Sequence, residues 1–168
     1  MRYKVAWPTR MTRRISVKQE DPLGKAATLL LRKLSAEIAG RYFDMGDDGS
    51  GSFSLNDALV PRSTFIVACL DGQPVGCGAL RPMDFESAEV KRMFVAANAR
   101  RLGIGRRILV ELERLADDFG YRVMRLETGH RQPEAIALYE RYGFHRIPPF
   151  GKYVDNPVSI CFEKRVER

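Results

Sequence analysis

The chain has 168 residues, of which 45% are hydrophobic and 29% are charged. This length fits one domain that can bury a core, and the composition is typical of a folded, soluble protein rather than a disordered one. No apolar run approaches the roughly 20 residues that a membrane-spanning helix needs. We therefore expect a cytoplasmic protein with no membrane partner.

The net charge of +7 is unevenly distributed along the chain. The first 14 residues contain five basic residues and no acid, which leaves a charge of only +2 for the rest. Residues 1–12 are predicted to be a basic arm, and residues 13–168 to be one domain. Because the body is nearly neutral, the charge does not favour a nucleic-acid partner.

The cysteines and histidines give no sign of a metal site. Cys69, Cys77 and Cys161 are far apart in sequence and form no Cys-x-x-Cys pair, and the two histidines are not part of a ligand cluster. We expect buried, inert thiols in a reducing compartment and no bound metal.

The first half of the chain predicts one strand, two helices and three further strands. The expected order is a strand at 13–19, a helix from 22 to 43, a loop at 44–52, a short second helix at 54–60 and strands at 63–70, 73–83 and 87–95. Short turn segments separate the three later apolar runs, which is typical of an antiparallel meander.

The second half contains the clearest helix. Seven apolar residues recur on one helical face, with Gly120 at the position of a C-terminal cap: Ile104, Ile108, Leu109, Leu112, Leu115, Ala116 and Phe119. A strand at 121–128, a helix at 133–142 opened by Pro133, and strands at 143–147 and 157–166 complete the predicted order. This pattern indicates an α/β domain with a mainly antiparallel first half.

A turn rich in arginine and glycine, RRLGIGR at 100–106, connects a predicted strand to this helix. The first amides of a helix lack intrahelical partners, and the helix dipole adds positive potential. Glycine allows a ligand to approach the backbone. The turn therefore suits a pyrophosphate, although neither a Walker loop nor a dinucleotide fingerprint is present.

Three segments in order carry a family resemblance. Arg100, Gly103 and Gly105 match the motif Gln/Arg-x-x-Gly-x-Gly/Ala, AEVKRMFV precedes it, and AIALYERYGF follows it, together spanning 88–144. The sequence resembles the GCN5-related N-acetyltransferases (GNAT). The resemblance implies the GNAT acyl-CoA acyltransferase fold, with a central mixed, mainly antiparallel sheet flanked by helices.

The resemblance also implies a reaction: transfer of an acetyl group from acetyl-CoA, a cosubstrate, to a primary amine of a small molecule or peptide by direct attack in a ternary complex. The alternative is a non-catalytic module on the same fold that binds acyl-CoA or nucleic acid. The sequence leaves open whether the protein forms a homodimer.

Coenzyme-binding residues follow from the same resemblance. The pyrophosphate is expected on the amides of Leu102 through Arg106, and the pantetheine beside the backbone of Met93 to Val95. The implied set is Met93, Phe94, Val95, Arg100, Arg101, Leu102, Gly103, Ile104, Gly105, Arg106 and Gln132. Many family members have asparagine where this chain has Gln132, and Arg107 is also expected near the phosphates.

The catalytic assignments concern one tyrosine and one carboxylate. Tyr139 matches the family's tyrosine and is the predicted acid for the leaving thiolate, while Glu89 resembles the catalytic glutamate of the histone-modifying branch. Glu127 is the rival base, and deprotonation through water is a third route. The acceptor pocket is expected between the first two helices and residues 147–159, where Phe150, Tyr153, Asp155 and Asp47 are available.

Overall fold

The computed structural model describes residues 13–45 and 54–167, in which seven strands form one sheet in the order β1-β2-β3-β4-β5-β7-β6. The strands are β1 Ile15–Gln19, β2 Thr64–Leu70, β3 Gln73–Pro82, β4 Ser87–Val95, β5 Val123–Gly129, β6 His145–Ile147 and β7 Ser159–Arg165. Only the β4–β5 pair is parallel. The predicted arm at 1–12 and most of the loop at 44–52, including Asp47, lie outside the described residues.

Three α-helices cover the two faces of the sheet: α1 Lys25–Arg41, α2 Ile104–Asp118 and α3 Pro133–Arg141. α2 and α3 pack on one face with Ile66 and Leu126, and α1 packs on the other with Phe65 and Val67. Alternate residues of β2 thus supply both cores, as the period of a strand requires. The predicted mixed, mainly antiparallel sheet flanked by helices is confirmed.

The buried face was predicted from the sequence for α2 but not for α1. The predicted apolar face of α2 is buried from Ile104 to Ala116, and Gly120 adopts a φ of +80° just after the helix. In α1, which was predicted without a buried face, Ala27, Leu30 and Leu34 are buried and Leu29 is 44% exposed.

The prediction of a second α-helix at 54–60 was wrong. The segment forms a single 3-10 turn, Leu55–Ala58, in which Ser54 and Asp57 make a reciprocal capping box. The turn cannot extend far because Pro61 follows, and a residue that precedes proline is disfavoured in helical conformation.

Neither a membrane-spanning helix nor a cluster of metal ligands is found in the described ranges. None of the helices there is long and apolar enough to span a bilayer. No three His, Cys, Asp or Glu side chains of residues 13–45 and 54–167 lie close enough to hold a metal ion. Cys77 and Cys161 are buried and Cys69 is half-buried; burial raises the pKa of the Cys77 thiol to about 12.

Candidate active site

A β-bulge interrupts the central strand. Cys77 pairs with Phe94 and Ala79 pairs with Lys91, so β4 carries one extra residue, and Arg92 adopts a φ of +55°. The Cys77 thiol donates a hydrogen bond to the Arg92 carbonyl at 3.3 Å. One extra residue reverses the alternation of side chains along a strand.

The bulge changes one expectation drawn from an ideal strand, in which Glu89, Lys91 and Met93 share a face. Met93 instead packs into the core beside α2, and Phe94 packs on the α1 side. Lys91 stays on the opposite face from Met93, where it contacts Tyr153.

Strands β4 and β5 separate after Val90, just before the bulge. Their parallel pairing runs from Ser87 with Val123 to Val90 with Leu126 and ends there, although β4 continues to Val95 and β5 to Gly129. The facing edges of the two strands are therefore open beyond this point. An open strand edge of this kind can accept an extended ligand through main-chain hydrogen bonds.

The separation of the strands creates a cleft whose walls come from four parts of the fold. These are α1, the ends of β4 and β5, the start of α3, and the connection from β6 to β7. The cleft brings together Met93, Gln132 and Tyr139 from the predicted site, and also Glu127, the rival base. Gln132 is half-buried and precedes the first residue of α3.

The predicted phosphate turn exposes backbone donors. Gly103 has a φ of +77° and precedes Ile104, the first residue of α2. The Arg107 amide donates to the Gly103 carbonyl at 3.1 Å, and the amides of residues 103–106 come before this first helical bond. Arg101, Arg106 and Arg107 are exposed around the turn, so positive charge surrounds the bare amides.

The second glycine of the motif has a packing role that the sequence did not reveal. A Cβ at Gly105 would lie 2.9 Å from a methyl carbon of Leu138 in α3. The Cβ position at Gly103, by contrast, is open to solvent. Gly105 therefore allows α2 and α3 to approach closely, whereas Gly103 leaves space on the surface where a ligand would lie.

Arg100 is held by other parts of the protein. Its Nε donates to the Val95 carbonyl at 2.9 Å, and its guanidinium forms an ion pair with Glu37 of α1. These contacts fix the end of β4 against α1. The predicted contact of Arg100 with the coenzyme stays a prediction.

Tyr139 is buried at the base of the cleft, with 5% of its surface exposed. Its ring lies 6.0 Å from that of Phe144 and 6.0 Å from that of Phe162, between centroids. Burial raises the pKa of the Tyr139 hydroxyl, and the charge of Glu127 acts in the same direction. The hydroxyl therefore stays protonated at neutral pH.

The two candidate bases have different surroundings. Glu89 is 2% exposed, accepts hydrogen bonds from Arg81 at 2.6 and 2.9 Å and from the Tyr153 hydroxyl at 2.7 Å, and does not line the cleft. Glu127 lines the cleft and accepts a hydrogen bond from the Ser159 hydroxyl at 2.6 Å. The role of Glu89 as base stays a prediction, but the contacts favour Glu127.

A buried lysine is the site residue that sequence reasoning missed. Lys91 is 6% exposed and donates to the Tyr153 hydroxyl at 2.7 Å, and its Nζ lies 3.6 Å from Glu89. The sequence feature that could have indicated it is a lysine at position 91, inside a strand with several apolar residues.

The residues predicted to contact the acceptor have different surroundings. Tyr153 is hydrogen-bonded to Lys91, Phe150 packs against the Tyr153 ring, and Asp155 is exposed.

The fold and this cleft agree with the comparison to known proteins. Residues 30–144 match the model of the acetyltransferase (GNAT) family. The chain belongs to that family. A protein of Azospirillum brasilense named IAA acetyltransferase is 37% identical to this GNAT chain over 152 residues, covering 89% of this chain and 97% of its own length. The predicted family and the N-acetyltransferase class are confirmed.

Solved structures share the GNAT fold across nearly the whole chain. A GNAT acetyltransferase from Staphylococcus aureus has a TM-score of 0.76 at 18% identity, covering 92% of this chain and all of that one. A GNAT acetyltransferase from Elizabethkingia anophelis, solved with acetyl-CoA bound, has a TM-score of 0.64 at 20% identity and covers 90% of this chain and 97% of its own. At these identities the likeness concerns the fold.

Proposed function

We propose that this GNAT protein transfers the acetyl group of acetyl-CoA to a primary amine of a small molecule or peptide by direct attack in a ternary complex. The observation that carries the proposal is a continuous path along the open edge of β4. This path begins at the cleft that holds Tyr139 and Glu127 and leads to the exposed amides before α2.

The residues along this feature fit the pyrophosphate and the pantetheine of acetyl-CoA. The turn at 100–106 offers backbone donors and exposed arginines to a pyrophosphate. The edge of Met93 to Val95 offers main-chain groups to pantetheine, and Gln132 lies across the cleft. This arrangement directs the thioester toward Tyr139.

The cleft supplies a base and an acid for the reaction. A neutral amine attacks the thioester carbonyl, which forms a C–N bond and breaks the C–S bond. Glu127 takes the amine proton, directly or through water, and the Tyr139 hydroxyl protonates the departing sulfur. The Ser159 hydroxyl holds the Glu127 carboxylate in place at 2.6 Å.

Two glutamine variants distinguish the candidate bases. We expect Glu127→Gln to lower kcat by about 100-fold, the usual scale for general base catalysis, and to remove the acid limb of the rate profile. Glu89→Gln should leave that limb in place, because Glu89 faces Arg81 and Tyr153. An acid limb that survives in Glu127→Gln and disappears in Glu89→Gln would assign the base to Glu89. Calorimetry with acetyl-CoA checks that both variants bind the coenzyme.

An arginine variant tests the phosphate end. We expect Arg106→Ala to weaken acetyl-CoA binding about 3- to 10-fold and to reduce its dependence on salt, because the change removes a charge but leaves the amides in place. Titrations at low and high ionic strength measure both effects. Arg114→Ala, which alters an exposed arginine further along α2, is the control. Equal salt dependence in Arg106→Ala and the wild type would contradict this assignment.

A direct test of the whole function combines binding with turnover. Calorimetry with acetyl-CoA and with DNA, and thiol release over amino acids, polyamines, aminoglycosides and lysine peptides, separate the enzyme from the alternative module. Coenzyme binding with acetylation of an amine supports the proposal. Binding of DNA without binding of acetyl-CoA would overturn it, and coenzyme binding without turnover of any amine would favour a non-catalytic acyl-CoA-binding module.

A further inference from the structure

Two buried hydroxyl groups in the cleft have no hydrogen-bond partner within residues 13–45 and 54–167. They belong to Tyr139 and to Thr128, which is 5% exposed and lies near the end of β5. In this part of the chain, every side-chain oxygen or nitrogen that is fully enclosed does have a partner. Both hydroxyls therefore reach the surface of the cleft, the cavity that their residues line.

The Thr128 hydroxyl has no role in the reaction as described so far. Burial of a hydroxyl that no protein group satisfies costs free energy, and only a molecule in the cleft can offset this cost. Valine has the same shape and also favours strands, so packing alone does not call for threonine. An unpartnered buried polar group of this kind points to a ligand that supplies the partner.

Thr128 lies on the same face of the sheet as Tyr139. Alternation along β5 places Thr128 on the face of Leu126, two residues earlier. Leu126 pairs with Phe162, and the centroids of the Phe162 and Tyr139 rings are 6.0 Å apart. Thr128 itself pairs with Ile160, which packs against the same core. The Thr128 hydroxyl is therefore next to the layer of side chains that holds the Tyr139 ring.

The residue before Thr128 is Glu127, and the alternation of the strand directs it to the opposite face. Both residues follow Leu126, where the pairing of β5 with β4 ends. The base and the acid of the proposed reaction thus approach the cleft from opposite faces of the sheet. Thr128 lies on the side of the acid, toward which the sulfur departs.

We propose that the Thr128 hydroxyl is a second hydrogen-bond donor to the sulfur of acetyl-CoA, beside Tyr139. The inference rests on the proposed function and adds a catalytic residue to it. Tyr139 transfers its proton to the sulfur as the C–S bond breaks, whereas Thr128 keeps its proton and stabilises the negative charge that develops on the sulfur. In the complex, the hydroxyl gains the partner that it lacks in the free protein.

The thiol of bound coenzyme A gives a direct measurement that needs no acceptor. Thiolate absorbs ultraviolet light, so a pH titration of the complex, read against the complex with desulfo-coenzyme A, gives the pKa of the bound thiol. A donor to the sulfur stabilises the thiolate and lowers this pKa. We expect Thr128→Val to raise it by about 0.5 to 1, and Thr128→Ser, which keeps a hydroxyl, to stay near the wild-type value. Equal pKa values in the wild type and Thr128→Val would overturn the inference.

Turnover provides the second measurement. We expect Thr128→Val to lower kcat and kcat/KM together by about 3- to 10-fold, the scale of one neutral hydrogen bond, with acetyl-CoA affinity within about 2-fold of the wild type. Thr128→Ser should retain most of the activity. An equal loss in both variants would assign the effect to packing and reject the role of the hydroxyl.

Stability separates this role from a structural one. Thr128→Val should melt at the wild-type temperature or above it, because no hydrogen bond within the described residues is lost. Thr64→Val is the matched control: Thr64 is 4% exposed, lies outside the cleft, and accepts a hydrogen bond from the Gln19 side chain at 3.0 Å. It should lower the melting temperature and leave kcat unchanged. A comparable fall in melting temperature for Thr128→Val would show that the hydroxyl is structural.

The failure of this inference is distinguishable from that of the proposed function. Wild-type acetylation of an amine, together with an unaltered kcat and thiol pKa in Thr128→Val, would reject the inference and leave the proposed function standing. If the wild type acetylates no amine, both fail.

Discussion

Replacement of Tyr139 by phenylalanine is expected to lower kcat by about 100-fold or more and to leave acetyl-CoA affinity unchanged. The ring would keep its contacts with Phe144 and Phe162, so only the proton donor is lost. Steady-state kinetics under conditions where chemistry limits turnover, together with calorimetry, measure the two effects. The melting temperature should move by no more than a few degrees.

The pH profile provides a second measurement. Burial raises the pKa of Tyr139 above the ordinary value of 10, so its hydroxyl stays protonated through neutral and mildly alkaline pH. The wild-type rate should therefore show no loss from this group below about pH 10, and any loss above it should be absent from Tyr139→Phe.

A neighbouring tyrosine supplies the control. Tyr142→Phe removes the hydroxyl that donates to Glu113 at 2.6 Å, so it should lower the melting temperature with little effect on kcat. Wild-type turnover by Tyr139→Phe would show that the ring only packs and that solvent or another group supplies the proton.

Replacement of Gly103 by valine is expected to weaken acetyl-CoA binding by 100-fold or more while the domain stays folded. The φ of +77° is a conformation that a β-branched residue adopts only with strain, so the turn would shift. Its side chain would also occupy the open space before α2, where no described heavy atom outside the turn itself lies within 4 Å of the Cβ position. Calorimetry with acetyl-CoA measures the loss, and circular dichroism checks the fold.

The turn between β2 and β3 offers a matched control for Gly103. Gly72 has a φ of +82° and equally open space around its Cβ position, but it lies outside the cleft and the α2 turn. Gly72→Val should therefore show a comparable loss of stability, about 1–2 kcal/mol or more, with wild-type coenzyme affinity. Wild-type affinity in Gly103→Val would reject the phosphate site, and an equal loss of affinity in Gly72→Val would assign the effect to general destabilisation.

Part of this protein is predictable from local sequence patterns. The strands, the buried stripe of α2 and the glycine turn at its start depend on periodicity and on the conformational freedom of glycine, which a short segment carries by itself. The order of three such segments also indicated the family. The prediction of a second α-helix used the same kind of local pattern and was wrong. Proline disfavours helical conformation in the residue before it, and this effect of Pro61 outweighed the helix-like composition of residues 54–60.

The site depends on contacts between residues distant in sequence. Glu89 has its partners at Arg81 and Tyr153, and Arg100 meets Glu37, 63 residues earlier. No local sequence pattern indicates these hydrogen-bond and ion-pair partners, because they are determined by how the strands and the β6–β7 connection pack together. The bulge at Arg92 is another such feature.

What the sequence determined by itself is most of the helices and strands, the glycine turn before α2 and the family, because each depends on residues close together in the chain. Only the tertiary structure decided which side chains share the cleft. The separation of β4 from β5 after Val90 brings Tyr139 and Glu127 together, and the packing of Tyr153 brings Lys91 into the same site. The bulge reverses the alternation of side chains at the end of β4. It is a feature of how β4 pairs with β3, so the sequence of β4 alone does not reveal which side chains face the cleft.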